Sequence, residues 1–201
     1  MAPTVFTERV VSFDVGVKNL GYVVMDCRGV WDFNIMRWNV LTIKGKNIQE
    51  YTQDLVAKLR EVDFGIVDTV VIEQQVNRNT QMKVLSHVIQ TFFCCHHRVT
   101  GECIVFLSAK LKLQPLTREY MKILEEVMHK LHLVSGSIGR KEIKTLSIEL
   151  TSSILKSKCP DLRWLEMFEG HKKRDDLADA FLQAIVFKIR RQKNEIDLLL
   201  D

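Results

Sequence analysis

Apolar residues in this chain follow two rhythms, short β-branched runs and longer stretches at helical spacing. Residues 10–15 form a short run closed by Gly16 and predict a buried strand. Residues 20–26 predict a second strand, with Gly16 and Gly21 bracketing a tight connection. Residues 31–43 alternate in part (Trp31, Phe33, Ile35, then Trp38 and Val40) and predict a third. Short turns between the three suggest an antiparallel meander. Asn47-Ile48-Gln49-Glu50 then fits a capping box, with Asn where Ser or Thr is usual, and Tyr51, Leu55, Leu59 and Val62 follow at helical spacing. Residues 67–73 are so uniformly apolar that their strand belongs in the middle of a sheet. Residues 79–98 predict a helix with Met82, Leu85, Val88, Ile89 and Phe92 on one face, and residues 103–107 a fifth strand.

The pattern loosens after residue 110. Residues 111–115 read as loop and 117–133 as helix, so the segment around 110–139 reads as an insertion ending in the flexible hinge 135–139. Residues 140–155 predict a helix with Ile143, Leu146, Leu150 and Ile154 as its apolar face, and Pro160 ends that region. Residues 175–191 predict the last long helix, with Leu177, Phe181, Leu182, Ile185 and Ile189 apolar. The tail, 192–201, is polar and then Leu-rich and is expected to fray. Three antiparallel strands followed by helix-separated strands make a mixed α/β sheet. This is the order of the ribonuclease H-like fold, a five-stranded sheet flanked by helices, expected here as one domain over 1–201.

Composition changes this picture little. A content of 27% charged and 46% hydrophobic residues is ordinary for a globular protein, and the formal charge of +4 leans only mildly toward polyanions. The five cysteines, at 27, 94, 95, 103 and 159, are odd in number and irregular in spacing. They argue against a disulfide framework and for a reducing, intracellular setting. No run approaches the roughly 18 apolar residues of a membrane span, and the first residues carry no secretion or transit pattern. Cys94-Cys95-His96-His97 invites a zinc reading, but neighbouring helix positions diverge and no second ligand pair exists. The tryptophans at 31, 38 and 164 read as core or interface.

The candidate chemistry lies in four carboxylates. Asp14 sits within an apolar strand, Glu73 ends another, and Asp176 and Asp179 lie one helical turn apart. Acids embedded in apolar segments are costly unless a cation compensates them. A divalent-metal cluster is the simplest compensation and points to phosphodiester chemistry. Spacing i, i+3 puts Asp176 and Asp179 on one helix face, and an all-oxygen donor set suits Mg²⁺, with Mn²⁺ as substitute. Asp175 reads as a first-turn acid favoured by the helix dipole.

Three motifs carry a resemblance. Ser12-Phe13-Asp14-Val15-Gly16-Val17-Lys18-Asn19-Leu20-Gly21, Val71-Ile72-Glu73-Gln74-Gln75 and Lys172-Lys173-Arg174-Asp175-Asp176-Leu177-Ala178-Asp179-Ala180 resemble the first-strand, fourth-strand and last-helix motifs of the RuvC-type Holliday-junction resolvases. The likeness is closer to their poxvirus and large-DNA-virus relatives than to the fungal mitochondrial ones. The segment around 110–139 departs from the pattern, being longer than the compact family core. The resemblance implies a metal-dependent, structure-selective endonuclease that hydrolyses four-way DNA junctions symmetrically during viral or organellar DNA processing. It makes Asp14, Glu73, Asp176 and Asp179 the metal ligands and implies a homodimer, with no small-molecule cofactor and no membrane partner. If the protein is viral, its place is the host-cell site of viral DNA replication.

The resemblance also places a functional lysine at the start of the helix that holds Lys141, with Lys144, Lys110 and Lys112 as rivals. Lys18, Asn19, Lys144, Lys172, Lys173 and Arg174 are the candidate DNA contacts. The long helix near residues 74–98 offers an apolar surplus for a dimer face. Two other readings stay open: a non-catalytic junction-binding protein on the same scaffold, and an actin- or sugar-kinase-like ATPase suggested by Asp14-Val15-Gly16. The chain is short for the two lobes of the latter.

Overall fold

The structure, a computed structural model, describes residues 7–75, 79–114, 117–133 and 138–200, with side chains described as far as residue 194. Five strands form one sheet: β1 (Glu8–Val15), β2 (Asn19–Cys27), β3 (Phe33–Thr42), β4 (Thr69–Gln74) and β5 (Ile104–Ser108). Their order is β3-β2-β1-β4-β5. The pairs β1–β2 and β2–β3 are antiparallel, while β1–β4 and β4–β5 are parallel. This is the expected ribonuclease H-like architecture, and the uniformly apolar β4 lies inside the sheet because both its faces are covered.

Helices cover the two faces. On one face, α1 (Ile48–Glu61) and α2 (Thr80–His96) pack over Val11, Phe13, Val15, Val70 and Ile72. On the other, α4 (Arg140–Lys158) and α6 (Arg174–Leu200) pack over Val10, Val23, Met25, Val71 and Leu107. Strand side chains alternate between faces with period two. The parity that sends Val11 and Phe13 toward α2 therefore sends Ser12 and Asp14 toward α6. In β4 it sends Val71 and Glu73 the same way.

Several elements differ from the sequence expectation. The third strand begins at Phe33, and Trp31 packs at the edge of the core instead. Residues 109–113, overlapping the stretch 111–115 read as loop, form a 3-10 turn, Ala109–Leu113. The helix expected at 117–133 is α3 (Arg118–Lys130), capped by Thr117, whose side chain accepts the Tyr120 N–H. A short helix, α5 (Arg163–Gly170), lies where the sequence pattern predicts no element, and the backbone of α6 continues as helix through the tail expected to fray. On α4 the buried face begins at Leu146, leaving Ile143 exposed. Most of the hinge expected at 135–139 lies outside the described residues. No described helix is long and apolar enough to cross a membrane.

The last helix is tied to the sheet along its length. Near its C-terminal half, the buried Glu8 of β1 accepts from Lys188 at 2.6 Å and from Arg191. Near its start, the Trp38 indole N–H of β3 donates to the Leu177 carbonyl at 3.1 Å. Trp38 is itself stacked on Phe168 of α5, ring centroids 5.1 Å apart and nearly coplanar. Gly21 of β2 lies directly beneath the first turn, and a Cβ there would fall within the Asp176 carbonyl. The helix backbone thus rests on the sheet beside Asp14, the residue paired with Gly21 across the hairpin.

Candidate active site

Because β1 and β4 run parallel, their C-terminal ends lie side by side, and Asp14 and Glu73 emerge there on the α6 face. Asp179 reaches the same place from α6, whose first turn is seated by Gly21. The group that gathers these three acids is Lys112, from the 3-10 turn after β5. Its Nζ lies 3.9 Å from Asp14 Oδ1, 3.8 Å from Glu73 Oε1 and 3.4 Å from Asp179 Oδ1. The Lys112 side chain is 5% exposed. Its backbone is held from below by the insertion, where the buried Tyr120 hydroxyl of α3 donates to the Lys112 carbonyl. Gln75 steadies Glu73, its Nε2 donating to Oε2 at 3.0 Å.

The electrostatics follow from crowding. Burial, reinforced by Glu73 and Asp179, pushes the Asp14 carboxyl well above the ordinary carboxylate range, and Lys112 opposes that rise. Asp179 is raised for the same reasons, burial foremost and Lys112 again opposing. Burial would lower Lys112, but Asp179, Asp14 and Glu73 outweigh it and hold the ammonium above its usual value. Asp176 is raised by burial and by neighbouring Asp175. Burial pushes Asp175 upward too, but its hydrogen bond to Lys144 Nζ, 2.7 Å long, and the charge of that lysine hold it below the usual range.

The candidate residues separate into two groups. Asp14, Glu73 and Asp179 meet around Lys112, and Asp176 stands one turn back with a buried Oδ2 that lacks a hydrogen-bond partner. Asp175 turns to α4 and pairs with Lys144. Lys141 is exposed on the first turn of α4, and its side chain forms no ion pair among the described residues. Lys18, Lys172, Lys173 and Arg174 are exposed, and Asn19 is half-buried at the start of β2. From the sequence alone Lys112 is only a rival to Lys141, because alternation in Lys110-Leu111-Lys112-Leu113 does not say which lysine turns inward.

Among the described residues no three carboxylate, His or Cys side chains are already drawn together as a metal shell. The donor set nonetheless fits a divalent ion of the Mg²⁺ class. It is all oxygen, three carboxylates face one ammonium, and Asp176 Oδ2 is buried without a partner. Fully ionised, three acids against one lysine leave an excess of two negative charges at the site.

Comparison with solved structures places the fold among known ones. The chain is similar to the fowlpox virus resolvase crystallised with substrate Holliday-junction DNA, with 13% identity, a TM-score of 0.60, and 92% of this chain and 98% of that one covered. The fowlpox virus Holliday junction resolvase in a second crystal structure gives 13% identity and a TM-score of 0.57 over 89% and 96% of the two chains. The yeast mitochondrial Holliday junction resolvase Ydc2 gives 14% identity and a TM-score of 0.54 over 98% and 89%. At these identities the likeness is one of fold. No curated protein matches the sequence. A family model described as Poxvirus A22 protein matches residues 8–113, from β1 through the turn that carries Lys112, and so includes Asp14 and Glu73. With more than half of its length matched in this way, the chain belongs to the poxvirus A22 protein family.

Proposed function

We propose that this protein is a metal-dependent, structure-selective endonuclease that resolves four-way DNA junctions by symmetric phosphodiester hydrolysis. The observation that carries the reading is the convergence of Asp14, Glu73 and Asp179 on one buried cationic position at the carboxyl ends of β1 and β4. The fold likeness to a fowlpox virus resolvase solved with a Holliday junction supports it.

Asp14, Glu73, Asp176 and Asp179 would hold Mg²⁺ or Mn²⁺. When bound, the metal would supply an activated water and polarise the phosphoryl group. Asp14, on the central strand β1, would hold the ion with Glu73, and Asp179 and Asp176 would close the site from α6. Lys112 takes the role first assigned to Lys141: its ammonium is buried among the acids and can face a scissile phosphate. Lys18 and Asn19 on one side and Lys172, Lys173 and Arg174 on the other make a basic rim that holds the DNA backbone. Lys141 and Lys144 extend that rim along α4.

Cutting two strands symmetrically needs two such sites, hence a homodimer. The open apolar face of α2 is the surface we assign to it. It carries Val84, 38% exposed, beside a cavity of about 550 Å³ lined in part by Val56, Val88 and Phe92. All five cysteines are free, in keeping with work inside the cell, at the site of viral DNA replication. Residues 1–201 act as one domain, with the insertion serving to seat Lys112.

The test is cleavage of a labelled four-way junction and a matched linear duplex, with and without Mg²⁺, by the wild type and by Asp14→Asn. Paired symmetric nicks in the junction alone, dependent on metal and lost in the variant, are expected. Tight junction binding without cleavage in either metal would replace the reading with that of a junction-binding module. Cleavage that survives both EDTA and Asp14→Asn would remove it.

A further inference from the structure

Gln183 is the one polar side chain within an apolar stretch of α6. Phe181, Leu182, Ala184, Ile185 and Val186 around it are buried, and Gln183 is itself fully buried. It lies four residues after Asp179, on the same helix stripe. Its Nε2 is 3.2 Å from Ser12 Oγ, 3.2 Å from the Phe13 carbonyl and 3.3 Å from the Val71 carbonyl. One amide group with two N–H donors therefore spans both central parallel strands.

The position of this span matters. The ladder between β1 and β4 ends at the pair Phe13–Ile72. Asp14 and Glu73 are the next residues on each strand, beyond the last rung, so the ladder does not fix the distance between them. Gln183 bonds to the residue immediately before Asp14 and to the residue two before Glu73, from the helix that carries Asp179. Arg191 of α6 also spans the two strands, but at their far ends, through Glu8 and Thr69; the Gln183 span lies beside the acid cluster.

Stability alone does not account for an amide here. Its Oε1 is buried with no hydrogen-bond partner, a cost that a methionine or leucine of similar size would avoid. Groups that bond to the supports of a ligand set fix its geometry, and their loss weakens ion binding even though they never touch the ion.

We propose that Gln183 is a positioning residue, whose amide ties β1 and β4 to α6 and sets the separation at which Asp14, Glu73 and Asp179 converge on a divalent ion. The inference rests on the metal-site reading given above. It is tested on the full chain, without DNA, by calorimetric titration with Mn²⁺ and by thermal unfolding in EDTA, for the wild type, Gln183→Met and Gln183→Leu. The expected result is a Mn²⁺ affinity reduced about 10–100-fold, with melting temperatures in EDTA equal to or above that of the wild type. Two variants are used so that if Leu does not fold, the longer, unbranched Met carries the measurement. Variants that bind Mn²⁺ as tightly as the wild type would overturn the positioning role and leave the metal site standing, as would a fall in melting temperature with affinity unchanged. A wild type that binds no Mn²⁺ would overturn the metal-site reading itself, and this inference with it.

Discussion

Lys112 illustrates how one side chain can settle the charge of a whole site. A lysine is seldom buried unless paired, and here three carboxylates within 4 Å supply the pairing. Removing it leaves the acids crowded without a counter-ion, so Lys112→Met should cost about 3 kcal/mol in urea unfolding with EDTA present. An unchanged midpoint would mean that water already screens the cluster. A second residue-scale prediction concerns Cys27, whose thiol burial pushes up to about 12 from its ordinary 9.0. The folded protein keeps this proton after the unfolded chain has released it. The contribution is therefore complete below pH 9 and is lost as pH rises toward 12, by up to about 1.4 kcal/mol per unit. Stability measured between pH 9 and pH 11 should fall less steeply in Cys27→Ala than in the wild type; parallel slopes would contradict the assignment.

At the level of elements, the decisive event is the docking of α6. Gly21→Ala places a methyl group against the Asp176 carbonyl, so the first turn of the helix must lift. A loss of about 1–3 kcal/mol in urea unfolding is expected, together with weaker Mn²⁺ binding, because Asp176 rides on that turn and Asp179 on the next. Wild-type values for both would show that the helix can shift without consequence. The strands that carry Asp14 and Glu73 were legible in the sequence, since an acid inside a β-branched run conflicts with its surroundings. The Asp176–Asp179 face was legible from helical spacing. Gly21 could be read as a turn residue, but its close approach to α6 joins residues about 155 positions apart, and local pattern carries no sign of that. Helix α5 escaped notice because eight residues starting just after Pro160 give too short a period to register. Lys112 escaped for a different reason: whether a lysine faces inward is decided by the acids it meets, which lie on three other elements.

At the scale of the molecule, the proposed function would give the two faces of the sheet different tasks. The α6 side carries the acids and the proposed basic rim, and the α2 side carries the open apolar face. If the chain dimerises through α2 as proposed, Val84→Arg leaves the acid cluster intact while converting a dimer into a monomer in sedimentation velocity. A variant still dimeric at micromolar concentration would assign the interface elsewhere. The tryptophans offer a different way to watch the same architecture. Trp38 is 4% exposed, stacked on Phe168 and bonded to the carbonyl of Leu177, between the two acids of α6. Its indole is thus held by the very turn that completes the acid cluster. With Trp31 and Trp164 replaced by phenylalanine, emission from Trp38 should be blue-shifted when that turn is seated and should move to the red when it lifts, as in Gly21→Ala. The fold has in effect built an intrinsic fluorophore into its own latch, and the closing of the site can be timed in a stopped-flow cell by light alone.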